Sequence, residues 1–324
     1  KAPGGRRSRA IARLAAGVRY RLGMSGTPLA HSPLDVYAVY RALDSAIFGT
    51  SFASFLRRYT LPCSWGMHDG LEILGGLLRP YRLVNMDDLR QRMMSIAYQV
   101  ETRDVLDLPP EQDAVRTVYL EADAQRIYRQ MDRQLTAEVR GQEVTAANVL
   151  VKLLRLQEMT GGSLHVVDGP VARVSEAKAR ELGAWLEDLP PEEPCIVFCR
   201  FIADLDRVAE RAGLAGRDYF ELSGRRSEKD IWLADHHGAV LAVQMQAGGA
   251  GVDGLQRACY ACFYSLGYSL SDYLQARARL VRAGQQRPVH FTHLVALGTV
   301  DEEVYAALER REEVIERVLL QRQR

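Results

Sequence analysis

Lysine is nearly absent: only Lys1, Lys152, Lys178 and Lys229 occur, against 38 Arg. The formal net charge is +1, which excludes a global basic field for gripping polyanions, so any nucleic-acid surface must be a local patch. Arg suits bidentate phosphate contacts, but a GC-rich genome produces the same bias, and the bias alone assigns nothing. Long apolar runs are missing as well. None approaches the ~20 residues that cross a bilayer, and no signal-peptide pattern opens the chain, so no membrane partner is expected. There is no G-x-x-x-x-G-K-[ST] loop to cradle β- and γ-phosphates. The only Asp-Glu run, Asp301-Glu302-Glu303, follows Thr299, and Thr299-x-x-Glu302 predicts a capping box opening a helix rather than a magnesium-holding acid pair. No internal repeat or low-complexity segment is present.

What remains is ordinary for a globular protein: 324 residues, 26% charged and 47% hydrophobic, enough for two domains with a sizeable core. The composition is cytosol-like, and five Cys, an odd count, predict free thiols. Cys195 with Cys199, and Cys259 with Cys262, have spacings that invite a zinc reading. Each pair lies in an apolar stretch that reads as a buried strand, however. Strand positions three apart face opposite sides of the sheet, so Cys259 and Cys262 could not chelate one metal without a break, and buried small hydrophobes rather than a metal site are expected. The chain begins at Lys1 rather than Met, which we read as a piece of a longer protein.

Along the chain, residues 6–16 predict a short helix closed by Gly17, and residues 19–24 a strand. Ser25-Gly26-Thr27-Pro28 is a turn. Residues 34–99 show aromatic and Leu positions at helical spacing, as in Val36, Tyr37, Tyr40 and Leu43. Residues 106–110 (Leu-Asp-Leu-Pro-Pro) break that pattern and mark the main boundary. Beyond it, strand 115–121 and helices 123–139 and 146–159 are expected, the last closed by Gly161-Gly162. Helix 175–188, strand 195–199, helix 201–212, strand 219–222, helix 226–235 and strand 239–243 follow. Strand 259–264, helix 271–282, strand 289–296 and helix 301–320 complete an alternation that predicts an α/β domain built on a parallel sheet.

Two stretches carry chemistry. In residues 275–285 (QARARLVRAGQ), a helix would place Gln275, Arg279 and Arg282 on one stripe, with Arg277 pointing elsewhere and Gly284 ending it. The stripe follows a strand's C-terminal end, where such sheets bind ligands. In residues 247–256 (AGGAGVDGLQ), Gly248, Gly249, Gly251 and Gly254 would let backbone approach a phosphate or a partner lobe. Two Arg on a face, a Gly-rich loop or a hydroxyl turn is each weak alone.

Taken in order, Ser-Gly-Thr-Pro, Leu-Pro-Pro, Ile-Val-Phe, Ala-Gly-Gly-x-Gly and Gln-x3-Arg-x2-Arg-x-Gly-Gln resemble the C-terminal motif series of Swi/Snf-type superfamily-two DNA-dependent ATPases. The wording of residues 264–285 is nearest the phage and prophage branch. The resemblance implies three parts. Residues 1–30 would end a first RecA-like lobe, with Ser25, Gly26 and Thr27 coupling nucleotide state to lobe movement. Residues 31–112 would form a helical insertion and interlobe connector, and 113–324 a second RecA-like lobe.

Arg279 and Arg282 would then be catalytic arginine fingers, with Gln275, Gly249, Gly251 and Asp253 at the nucleotide. Arg200, Gln246 and Gly248 would meet double-stranded DNA without reading sequence. ATP and Mg2+ would be bound mainly by a first lobe whose P-loop is not in these residues, leaving this chain inactive alone, and the cytoplasm would be the place of action. The sequence departs from the pattern at Met245, where a hydroxyl is usual, at Ala278 and Val281, where Asp and His are usual, and at Arg200, often Gln. Two rival readings are a non-catalytic nucleic-acid clamp, which has no use for fingers, and an unrelated α/β nucleotide enzyme using His236-His237 or His290 and His293. Strand alternation puts His290 and His293 on opposite faces, against the latter.

Overall fold

The computed structural model describes residues 5–26, 28–29, 32–63, 70–74, 77–100, 102–141, 146–165, 170–235, 238–246 and 252–320. Its first part comprises α1 (Arg6–Ala16), α2 (Val36–Leu43), α3 (Ser45–Phe48), α4 (Phe52–Tyr59), β1 (Thr60–Pro62), β2 (Gly70–Leu74), β3 (Leu77–Leu83), α5 (Met86–Met94) and α6 (Thr102–Val105). Ser32 and Ser51 supply the caps that start this region's helical turns, accepting from Leu34 N and Ser54 N at 3.2 and 3.3 Å. Tyr37, Phe48, Phe52, Phe55 and Tyr59 pack ring on ring at 4.8–6.1 Å.

The mostly helical pattern of residues 34–99 is interrupted by β1, β3 and β2, which form an antiparallel sheet in that order. The expectation of a strand at residues 19–24 fails. Val18, Tyr20, Leu22 and Met24 do alternate with polar or small residues, but Leu22 and Met24 are each 88% exposed. Arg21 ties the segment back through Val18 O and Leu43 O, at 3.0 Å each. A strand needs a ladder partner, and β-propensity alone does not provide one.

The second part is β4 (Glu111–Val118), α7 (Ala122–Gly141), α8 (Ala146–Thr160), the β5–β6 ribbon (Ser163–His165, Val171–Arg173), α9 (Ala177–Asp188), β7 (Cys195–Cys199), α10 (Ile202–Leu214), β8 (Tyr219–Leu222), α11 (Lys229–Ala234), β9 (Val240–Gln244), β10 (Tyr260–Phe263), α12 (Leu270–Leu280), β11 (Val289–Ala296) and α13 (Val300–Leu320). Six of its strands make one all-parallel sheet in the order β4-β11-β10-β7-β9-β8. The first of them starts at Glu111 rather than at 115. Period-2 alternation sorts the buried strand residues. Cys195, Val197, Cys199, Val240, Ala242 and Cys262 face α9 and α10, whereas Ile196, Phe198, Leu241, Val243, Ala261 and Phe263 face α12 and α13. That second layer is continuous with Leu29, Tyr37, Phe55, Leu89 and Met93 of the first part.

Gly161-Gly162 does close α8. Gly162 has φ +93°, and a Cβ there would lie 2.4 Å from Ser175 O, so the site demands glycine. The Asp-Glu run at the start of α13 is a cap in one member and something else in another. Glu302 Oε2 accepts from Gly298 N at 2.7 Å, but Asp301 turns inward to Lys178 Nζ at 2.5 Å.

Candidate arginine site at the start of the sheet

Ser269 caps α12 by accepting from Asp272 N at 3.3 Å, and the helix then runs back along the sheet. Eleven residues carry it about 16 Å, from the ends of the strands toward their beginnings. Arg277 reaches Glu111, the residue that opposes Val289 at the start of β11, so the arginines sit at the strands' N-terminal edge. This corrects the expectation that they lie at a strand's C-terminal end. The sequence shows where α12 departs, but the arginines lie at the other end.

Gln275 and Arg279 are on the helix. Gln275 Nε2 donates to Ser271 Oγ at 2.9 Å and Arg279 Nη1 to Val252 O at 3.1 Å. Arg282 is not on it, because α12 ends at Leu280 and Val281 has ψ 83°. Gln285 holds the chain beyond that end. Its Nε2 donates to Gln256 O and Ala258 O at 3.0 and 3.1 Å, and Gly284 adopts φ +97°. Together they draw the chain off the helix axis toward the segment leading into β10. The Arg282 guanidinium nevertheless reaches that same segment, in an ion pair with the Asp253 carboxylate. Arg279, Arg282 and Asp253 therefore converge, joined by Lys229, whose Nζ donates to Asp253 O at 3.3 Å. Gly249 and Gly251, expected beside them, lie outside the described residues, as do Gly248, Thr27, His236 and His237.

At the opposite edge, Arg200 follows the last residue of β7, and Gln246 lies two residues beyond β9 and is exposed. Arg200 is half-buried and turned into the fold. Its guanidinium donates to Gln157 Oε1, Gln157 Nε2 in turn reaches Leu266 O at 3.0 Å, and Arg200 N donates to Ser265 Oγ at 2.8 Å. Ser265 Oγ also donates to Asp204 Oδ2 at 2.5 Å. Burial pushes the Asp204 carboxyl up to about 6, against the hydrogen bonds from Ser265 and Phe201 N. Ser25 and Gly26 are exposed on the stretch after α1.

His290 stacks on Tyr260 at 5.2 Å, while His293 is fully buried on the other face with Nε2 3.1 Å from Tyr273 OH. Burial brings His293 down to about 4, with Asp113 opposing the shift. A buried, neutral imidazole packed among rings is a core residue. Cys259 and Cys262 likewise separate, Cys262 into the layer under α9 and α10 and Cys259 Sγ toward Glu193 at 3.8 Å. Among the described residues no three His, Cys, Asp or Glu side chains are grouped to hold a metal ion, and no helix is long and apolar enough to cross a membrane.

Residues 6–161 match the family described as the SNF2-related domain. YwqA of Bacillus subtilis, named as an ATP-dependent helicase/translocase, is 21% identical over 97% of this chain and 34% of its own length. The SWI/SNF-related matrix-associated actin-dependent regulator of chromatin subfamily A-like protein 1 of Drosophila melanogaster is 23% identical over 91% of this chain and 37% of its own. The C-terminal part of the Fun30 ATPase domain superposes with TM-score 0.49 and 14% identity, covering 65% of this chain and 99% of that one. The chain thus spans about a third of the length of these two curated relatives.

Proposed function

We propose that the chain is part of a Snf2-type helicase-like ATPase, a reading supported by the match of residues 6–161 and by the relatives, and that it supplies the arginine fingers and part of the DNA-binding surface of an ATP-driven, DNA-dependent translocase. The observation carrying this reading is the convergence of Arg279 and Arg282 on residues 252–253 at one edge of the parallel sheet. Two guanidiniums there can stabilise negative charge that builds on a transferring phosphoryl group, a contribution of ~10³–10⁵ in rate. Arg282 is a third exposed and held by a carboxylate that is 72% exposed. Such a surface pair is worth roughly 0–1 kcal/mol, so a phosphate can replace it readily.

ATP would be held by a P-loop that these 324 residues do not contain. This chain's part in the chemistry would be that of its cations, with Gln275, Asp253, Gly249 and Gly251 beside the nucleotide. Ser25, Gly26 and Thr27 would couple nucleotide state to movement. Gln246 and Gly248 would meet the DNA backbone at the other edge of the sheet, with Arg200 bracing that rim from within.

In the full-length protein, Arg282→Ala is expected to lower DNA-stimulated ATP hydrolysis by at least ~10³ while ATP affinity stays nearly unchanged, because a finger acts on the transition state. Arg282→Lys rescues little, since a point charge cannot reproduce the guanidinium fork. Arg126, 73% exposed and paired only within its own helix turn, provides the inert comparison as Arg126→Ala. Turnover by Arg282→Ala and Arg279→Ala at the unmodified rate would sink the finger assignment.

A further inference from the structure

Arg277, expected to point away from the site, is tied down at every guanidinium nitrogen. Nε and Nη2 donate to Glu111 Oε2 at 3.2 and 2.7 Å. Nη1 and Nη2 donate to Asp113 Oδ1 and Oδ2 at 2.5 and 2.8 Å, and Nη1 also donates to Tyr273 OH at 2.9 Å. The guanidinium carbon lies 4.3 Å from the centre of the Phe291 ring, and the side chain is only 14% exposed. A fork shared by two carboxylates and shielded by a ring holds one geometry, which neither a lysine nor an exposed pair would do.

The two carboxylates are the first and third residues of β4, directly after the Leu-Asp-Leu-Pro-Pro stretch that leads into the sheet. Pro110 O is fixed there too, accepting from Val289 N at 3.1 Å. On the other side, Arg277 is two residues from Arg279 and five from Arg282. One side chain therefore joins the point where the chain enters the parallel-sheet lobe to the last turn of the helix that bears Arg279 and leads into Arg282.

We propose that Arg277 is a positioning residue that fixes Arg279 and Arg282 relative to residues 106–110, so that movement of that connector reaches the arginines through Glu111 and Asp113. Arg277 meets no phosphate, because its donors are already engaged. The inference rests on the finger reading above and deepens it.

The test is steady-state ATP hydrolysis by the full-length protein with DNA, well below each variant's melting temperature, for Arg277→Ala, Arg277→Lys and the double variant Glu111→Gln/Asp113→Asn. The expected result is a kcat lower by ~10–100-fold with KM for ATP within about twofold, the loss that misplacing a catalytic group by about an ångström produces. Arg277→Lys restores only part of the rate, and adding Arg277→Ala to the double variant costs nothing further, since both remove one joint. A kcat within twofold of the unmodified enzyme in folded Arg277→Ala overturns the positioning role and leaves the fingers standing. So does a loss that merely tracks the unfolded fraction in all three variants, seen by circular dichroism, which makes Arg277 a brace. No turnover by unmodified protein, or full turnover by Arg282→Ala, overturns the finger reading and this inference together.

Discussion

Two buried titratable side chains pull stability in opposite directions as pH changes. His293 has its folded value lowered to about 4 from 6.5, by burial and by Arg277, with Asp113 opposing. Tyr273 OH lies 3.1 Å from its Nε2, and the Phe263 and Tyr305 rings enclose it at 4.9 and 5.2 Å. Between those two values the unfolded chain holds the extra proton, so this residue's contribution is present above pH 6.5 and lost as pH falls through 4. Asp204 is the reverse. Its folded value is raised to about 6 from 3.8 by burial, so the folded chain holds the extra proton, and that contribution is present below 3.8 and lost as pH rises through 6. From pH 4 to 6 the two slopes offset each other. His293→Gln removes one of them. The stability difference between this variant and the unmodified chain should change with pH by about 1.4 kcal/mol per unit in that window, with the variant relatively better at acid pH. Denaturant titrations at pH 4.5, 5.5 and 7 check it, and a pH-independent difference would refute the assignment.

At the scale of elements, the first turns of α9 and α13 are held together by a buried pair. Lys178 Nζ lies 2.5 Å from Asp301 Oδ2 and donates to Tyr264 O at 3.0 Å, while Thr160 Oγ1 donates to Asp301 Oδ1 at 2.8 Å. The lysine side chain is 1% exposed. Lys178→Met strands a buried carboxylate and is expected to destabilise by about 3–5 kcal/mol, whereas Lys178→Met with Asp301→Leu should recover most of that loss. Chemical denaturation of the two variants decides it, and equal losses would mean that packing, not charge, dominates there.

Element scale is also where the sequence was most and least legible. Strands 195–199 and 289–296 stand where their apolar, β-branched patterns predicted them, because a parallel strand covered on both faces writes itself as a local run, and the edge strand 219–222 also stands where it was expected. The β2–β3 pair was hidden by reading the Leu and aromatic spacing of residues 34–99 as helix, although the Gly75-Gly76 pair between them is a hairpin signal. Residues 19–24 have the alternation of a strand and no strand to pair with. The helical placement of Gln275 and Arg279 was legible in their spacing, whereas the departure of Arg282 from the helix accompanies the contacts that Gln285 makes. Nothing local could reveal the Arg277 joint, whose partners lie 164 and 166 residues away.

Across the whole molecule, one apolar layer runs from Leu29 and Tyr37 through Leu89 and Met93 to Tyr128, Phe263, Val304 and Leu308. Tyr128 OH also accepts from Val300 N at 2.8 Å, tying α7 to the start of α13. The antiparallel sheet and its helices are thus not hung on the parallel-sheet lobe by a linker alone. Scanning calorimetry of the 324-residue chain should show a single transition with calorimetric and van't Hoff enthalpies in agreement. Two resolved peaks would show that the parts fold independently.

The arrangement of the thiols has a practical consequence. All five cysteines are free, and four of them (Cys195, Cys199, Cys259 and Cys262) are buried. Burial raises each of those four above the ordinary thiol value, leaving little thiolate for an electrophile to find. Cys63, just past β1, is the partly exposed one. The protein therefore arrives with its own attachment point for a single fluorophore, set in the antiparallel-sheet part. A dye there can report motion between the two parts without any engineered cysteine.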